Sequence, residues 1–235
     1  IGGNGNVEVK IGTQSNGQGH ATSYAQIVSE VLQIDINEIS LIQGNSIEIK
    51  NGSGTGGSRS MPVGGNALYL ASNKLLNNAK LSLAKYFKAK PVEISYKEGF
   101  FEFKNKYISF SDLTKLIDSD KFLNVDAEWA PESGIYTFPN GTHVCELEIE
   151  KYTGKIDILN YTVVDDFGRV INPLLLEGQV HGGIVQGIGQ ALLEETIYDI
   201  ETGQLLSGSF MDYAIPRASD IPFIKFAYNE ILCTT

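Results

Sequence analysis

Cysteine is scarce in this sequence: its 235 residues hold two, Cys145 and Cys233, with no C-x-x-C unit. A zinc ribbon, or an iron–sulfur cluster bound by this chain alone, is thereby excluded, since both need closely spaced thiolates. Cys145 falls in an alternating apolar pattern and is predicted to be a small core residue. Basic residues are also short, with 18 Lys and Arg against 28 Asp and Glu and a net charge of −10. Such a field attracts neither nucleic acid nor an anionic membrane. No apolar run approaches the roughly 20 residues that span a bilayer. The opening Ile1-Gly-Gly carries neither the charged nor the apolar region of a secretory signal, so a cytoplasmic location is expected. Asn51, Asn140 and Asn160 each begin an N-x-S/T triplet that would matter only in a secreted protein; without a secretory signal, the Asn-Gly pairs at Asn51 and Asn140 read as turns.

Glycine, by contrast, is plentiful and clustered. Gly178-Gln-Val-His-Gly-Gly-Ile-Val-Gln-Gly-Ile-Gly-Gln-Ala-Leu-Leu-Glu-Glu195 has the period of a helix, with glycines where leucines would normally sit. Steps of seven and eleven residues bring Gln179, Gln186 and Gln190 to one face. Gly183, Gly187 and Ala191 form a small edge, and each interior glycine costs about 0.8 to 1 kcal/mol relative to alanine. Two readings fit: close packing with solvated glutamines, or a polar ligand lying along the helix.

Two further glycine-rich stretches lie near the start. A half-buried strand over 6–11 runs through Gly12-Thr-Gln-Ser-Asn-Gly-Gln-Gly-His20 into a helix reaching about Ile34. Strand, glycine turn and helix N-terminus together aim backbone N–H groups at an anion, although an ordinary tight connection has the same pattern. A short strand over 39–42 then leads to Asn51-Gly-Ser-Gly-Thr-Gly-Gly-Ser-Arg-Ser60. Its Gly52, Gly54 and Gly57 match the dinucleotide fingerprint letter by letter. The context fails, because a long helix from about Pro62 to Phe87 follows and no second strand lies about 20 residues on. What remains is a loop rich in hydroxyl and amide donors, with Arg59 as its one guanidinium, suited to a phosphorylated or heteroaromatic ligand.

The remainder reads as scaffold. Short strands are expected over 92–96, 100–103 and 107–110, followed by a helix over 112–117 capped by Ser111. Residues 130–134 resemble a linker between lobes 1–130 and 131–235. Beyond it come a long hairpin over 144–164, the glutamine helix with Pro173 in its first turn, a second hairpin over 196–207 and a last strand over 223–228. This order implies an α+β fold of two intimately packed mixed lobes, with no regular βαβ array.

Taken together, Gly17-Gln-Gly-His20, Gly54-Thr-Gly-Gly-Ser-Arg-Ser60, Asp166-Phe-Gly-Arg-Val-Ile-Asn-Pro173 with the glutamine helix, and Ser209-Phe-Met-Asp-Tyr-Ala-Ile-Pro-Arg217 resemble a known pattern. It is that of the molybdenum-binding large subunit of the xanthine dehydrogenase and aldehyde oxidase family, on its carbon monoxide dehydrogenase-like branch. The resemblance spans nearly the whole chain and implies a molybdopterin-binding domain, with molybdenum and the cytosine dinucleotide form of the pterin. It implies oxidation of an aldehyde, a purine or other heteroaromatic, or carbon monoxide, with oxygen taken from water. Iron–sulfur and FAD centres are expected on separate small and medium subunits, alongside the remainder of the large subunit. By match to the family's motifs, Gly17, Gln18, Gly19, Gly57, Ser58, Ser60 and Gln179 are the expected cofactor-binding residues. His20, Arg59 and Asn172 belong to the same motifs as neighbours, and no residue is expected to ligate metal directly. The family's catalytic glutamate is expected beyond Thr235, so the chain alone is expected to be inactive. Glu194 and Glu195 read as hairpin anchors. The reading of another class is a non-catalytic dinucleotide- or metabolite-binding module using the same loops.

Overall fold

The computed structural model describes residues 1–2, 4–49, 51–52, 54–117, 123–131 and 137–233. The chain divides into two compact units, residues 1–135 and 136–235. Most of the expected linker over 130–134 lies outside the described residues.

The first unit opens on strand β1 (Val7–Lys10), with Val7 and Val9 buried and Glu8 and Lys10 outward. Helix α1 (His20–Leu32) crosses over to strand β2 (Ile39–Ile42), which pairs with β1 in parallel, Val7 opposite Ile39. Parallel pairing needs a crossover of this kind. Tyr24, Val28 and Leu32 form the buried stripe of α1, none more than 2% exposed. Residues Ser60–Gly65 make a π-helical turn that runs into α2 (Asn66–Phe87). Leu75, Ala79 and Leu83, four residues apart on one face of α2, join the same core.

A meander of β3 (Ser95–Lys97), β4 (Phe100–Phe103) and β5 (Lys106–Ile108) completes the sheets of this unit. Its two-residue turns pair Glu98 (φ 52°) with Gly99 (φ 81°) and Lys104 (φ 46°) with Asn105 (φ 63°). Two successive positive φ values match the twist of the flanking strands. The strand expected over 92–96 begins only at Ser95, because Pro91–Glu93 forms a 3₁₀ turn favoured by the fixed φ of Pro91. Helix α3 (Phe110–Leu116) also departs from expectation: its cap is Ser109, whose Oγ accepts from Asp112 N at 3.1 Å, and not Ser111. Buried Phe110 packs edge-on to Phe101 and Tyr96, which draws the helix start inward.

In the second unit, β6 (Asn140–Ile149) and β7 (Ile156–Asp166) form an antiparallel hairpin with a bulge at Glu146/Leu147. Asn172 then caps α4 (Pro173–Leu192), its Oδ1 accepting from Leu175 N at 3.0 Å, with Pro173 where its missing N–H costs nothing. Strand β8 (Ile224–Asn229) returns parallel to β7, giving the order β6-β7-β8. Of the hairpin expected over 196–207, an isolated Tyr198–Leu205 bridge forms.

Ile184 and Ile188 of α4 pack on Val163 and Ile224, a core of four buried side chains against eighteen in the first unit among the described residues. Every residue of β6 is exposed. Cys145 is among them, a correction to its expected place in the core: the strand alternates, but no described residue covers that half of the sheet. The helix and strand content is mixed, as the sequence implied, and among the described residues no helix is long and apolar enough to cross a membrane.

Candidate functional site

The two glycine loops of the first unit lie side by side. Gly54 N donates to the Gly12 carbonyl at 3.1 Å, Gln14 N donates to Thr55 Oγ1 at 3.0 Å, and Ser60 Oγ donates to Thr55 Oγ1 at 3.2 Å. Beneath them stands Tyr24, fully buried. Its hydroxyl donates to the Ser60 carbonyl at 2.9 Å and stands 2.9 Å from Thr13 Oγ1, so one side chain ties both loops to α1. Burial raises its pKa, which keeps the donor protonated. Gly64, in the π-helical turn, leaves room for that hydroxyl: a Cβ there would stand 2.6 Å from Tyr24 Oη. Such turns recur at functional sites.

Six of the sequence-predicted residues sit on these loops. Gly17 (φ 108°) and Gly19 (φ 72°) occupy the left-handed region, and a Cβ on Gly17 would meet nothing within 4 Å. Gly19 is also the N-cap of α1, which has no side-chain cap and no acidic residue in its first turn. No carboxylate of its own first turn compensates the positive end of that helix. Gln18 is half-buried, and its Oε1 accepts from Asn16 N. Gly57 (φ 62°) and Ser58 (φ 54°) are exposed at the tip of the second loop. Ser60 is buried, its hydroxyl turned to Thr55. His20 is a core residue, 3% exposed and tilted against the Tyr24 ring, and burial lowers its pKa. Arg59 is exposed at the start of the π-helical turn.

Gln179 lies in the second unit, exposed on α4 with Gln186 and Gln190. The close approach expected along this helix occurs at Gly189, where a Cβ would stand 2.6 Å from Pro216 Cγ; at Gly178, Gly182, Gly183 and Gly187 it would meet nothing within 4 Å. Gln179, Gly183 and Gly187 instead border a groove of about 610 Å³ between α4 and the β6–β7 face. At the β6–β7 wall of this groove His143 Nε2 lies 3.3 Å from Asp165 Oδ1, and His143 Nδ1 lies 3.2 Å from the Tyr161 hydroxyl. Glu194 accepts from the Tyr213 hydroxyl at 2.8 Å, an anchoring role. Among the described residues no group of three or more His, Cys, Asp or Glu is arranged to hold a metal ion.

The first unit thus presents an anion-seeking helix end, two loops with positive φ at Gly17, Gly19, Gly54, Gly57 and Ser58, and hydroxyl and amide donors with room above the glycines. That donor set fits a polydentate anionic ligand such as a pterin diphosphate. Sequence reasoning placed Tyr24 on the helix and Thr55 among the loop donors but missed the supporting roles of Tyr24, Thr55 and Gly64, which act through contacts over 36 to 41 residues or between neighbouring elements. The pairing of Tyr24 with Thr13 at helical and loop positions carries no local signal.

Glycine loops that flank a helix N-terminus in this way suit a cofactor-binding protein, and the comparisons agree. Residues 1–222 match the model of the molybdopterin cofactor-binding domain, and the chain belongs to that family. It is similar to the carbon monoxide dehydrogenase large chain of Afipia carboxidovorans, 32% identical over 227 residues, covering 93% of this chain and 28% of that one. It is likewise similar to the 6-hydroxypseudooxynicotine dehydrogenase complex subunit gamma of Paenarthrobacter nicotinovorans, 35% identical, covering 96% of this chain and 29% of that one. Among solved structures, a Cu,Mo-CO dehydrogenase in its carbon monoxide reduced state superposes with a TM-score of 0.82 at 32% identity, covering 98% of this chain and 30% of that one. The chain spans less than a third of the length of these relatives.

Proposed function

We propose that this chain is the cofactor-binding region of the large subunit of a molybdenum hydroxylase, which oxidises an aldehyde, a purine or other heteroaromatic, or carbon monoxide with oxygen from water. The carrying observation is the pair of interlaced glycine loops at the uncapped start of α1. Gly17, Gln18 and Gly19 would hold the pterin and metal end of a molybdopterin, in its cytosine dinucleotide form, with Gly57, Ser58 and Ser60 on the second loop and Gln179 bonding the pterin ring. Ser60 would act through its backbone and the loop it fixes, since its hydroxyl already meets Thr55. When bound, the cofactor supplies water activation and an electron sink. The chain's own residues hold it rigidly, and rigid placement of reacting groups is worth several kcal/mol of barrier.

Iron–sulfur and FAD partner subunits and a cytoplasmic location complete the proposal, and the presence of two exposed cysteines without a cluster motif is compatible with redox centres elsewhere. No base is assigned within residues 1–235. The test is Gly19→Val in the full-length large chain. A branched residue at φ 72° is strained and puts bulk where the backbone meets the ligand. Molybdenum content and pterin fluorescence should be lost while far-UV circular dichroism is retained; normal metal loading would sink the assignment of this loop.

A further inference from the structure

Helix α4 covers half of its sheet. Ile184 and Ile188 bury Val163 and Ile224 on the β7–β8 side, while on the β6 side Leu147 stays 49% and Ile149 58% exposed. Between Leu147 and Ile158 on the sheet and Val180 on α4 runs the groove of about 610 Å³. Its volume alone would suit a small ligand. Its form points elsewhere, because an apolar sheet face left open beside a helix is what a second helix normally covers in a two-layer unit. Gly183 and Gly187 make the α4 wall low over one turn, with nothing within 4 Å of either ideal Cβ. A helix can then seat its ridge between α4 and β6 at short interaxial distance.

We propose that this groove is the seat of an amphipathic helix supplied by the same large polypeptide from outside residues 1–235. Relatives carry more than two thirds of their length beyond the matched region, so the family's chains have ample polypeptide to supply it. A tethered segment needs little intrinsic affinity, because its effective concentration is high. A strand added at the β6 edge would extend the sheet and leave the groove open, so it does not account for the apolar face.

The test uses the full-length large chain in its native assembly and reads Cys145, which lines the groove and is exposed in the present structure. Alkylation of Cys145, followed by peptide mass spectrometry, should be at least ten-fold slower in the native protein than in denaturant. A photoreactive diazirine side chain in place of half-exposed Leu147 should cross-link to an apolar i, i+3/i+4 segment of the same polypeptide outside residues 1–235, and a cross-link to a segment within those residues would overturn the proposal. Gly187→Leu, which raises the low wall, should restore Cys145 reactivity by a similar factor with helical content unchanged. Free alkylation of native Cys145, or full protection in Gly187→Leu, would overturn the proposal. So would cross-links to another subunit, or between isotopically light and heavy copies of this chain. Protection that disappears on cofactor removal would also overturn it, assigning the groove to the cofactor.

Discussion

Gly12 and Gly52 pass each other with no room for a side chain: a Cβ on Gly12 would stand 2.5 Å from the Gly52 Cα, and one on Gly52 would stand 2.6 Å from the Gly12 Cα. The obstructing atoms are backbone, so neither can swing away. Gly12→Ala or Gly52→Ala should therefore separate the two loops, destabilise the protein by about 1 to 3 kcal/mol as overpacking does, and lower molybdenum content in the full-length chain. Thermal melts and metal analysis read both; unchanged loading would show that the loops work independently.

Tyr24→Phe removes the hydroxyl that links Thr13 with Ser60. With a buried partner left unpaired, the expected cost is about 1 to 3 kcal/mol, measured by chemical denaturation. A loss below the error of that measurement would reassign Tyr24 to packing alone.

The same residue sets an alkaline limit. Burial raises the pKa of Tyr24, and that of Tyr96 as well, above the usual tyrosine value of about 10. The unfolded chain then gives up these protons first, so their contribution is intact below about pH 10 and falls as pH rises beyond it. Stability against pH should bend downward there, and Tyr24→Phe should flatten part of the bend.

Gln18→Ala and Gln179→Leu separate anchoring from positioning. If both amides bond the pterin, Gln179→Leu should lower cofactor content in the full-length enzyme, because packing alone would tolerate leucine on an exposed helix face. Gln18→Ala should reduce activity more than metal content. Equal loss of both would make Gln18 an anchor.

Gly141→Ala should disturb the β6–β7 hairpin by about 1 to 3 kcal/mol. A Cβ there would stand 2.6 Å from the Val164 carbonyl and 1.8 Å from Asp165 Oδ1, the oxygen facing His143. Denaturant melts of the full-length chain, compared with a Gly182→Ala control where a Cβ meets nothing within 4 Å and the backbone is helical, would show whether the close approach matters.

Much of this architecture is legible in the sequence because it is local. The alternation of Val7 and Val9, the stripe of Tyr24, Val28 and Leu32, and Asn172 with Pro173 each announce an element through period or cap. What escaped depends on partners distant in sequence. Ser109 and Ser111 are both capable caps, and burial of Phe110 decides between them. Cys145 alternates like a core residue but stands in a strand without cover among the described residues. The glycine loops could be picked out from composition; that they cross at Gly12 and Gly52, over Tyr24, could not.

The parallel seat of β8 beside β7 also sets an order of assembly. The β6–β7 hairpin closes through the tight turn that follows Ile149, whereas Tyr161 meets Ile224 across a sequence separation of 63. Loop closure over that span costs more entropy before any contact repays it, so hairpin formation should precede β8 docking by orders of magnitude in time. During that interval β7 offers an unpaired edge to any other strand within reach, and refolding yield should fall steeply with protein concentration.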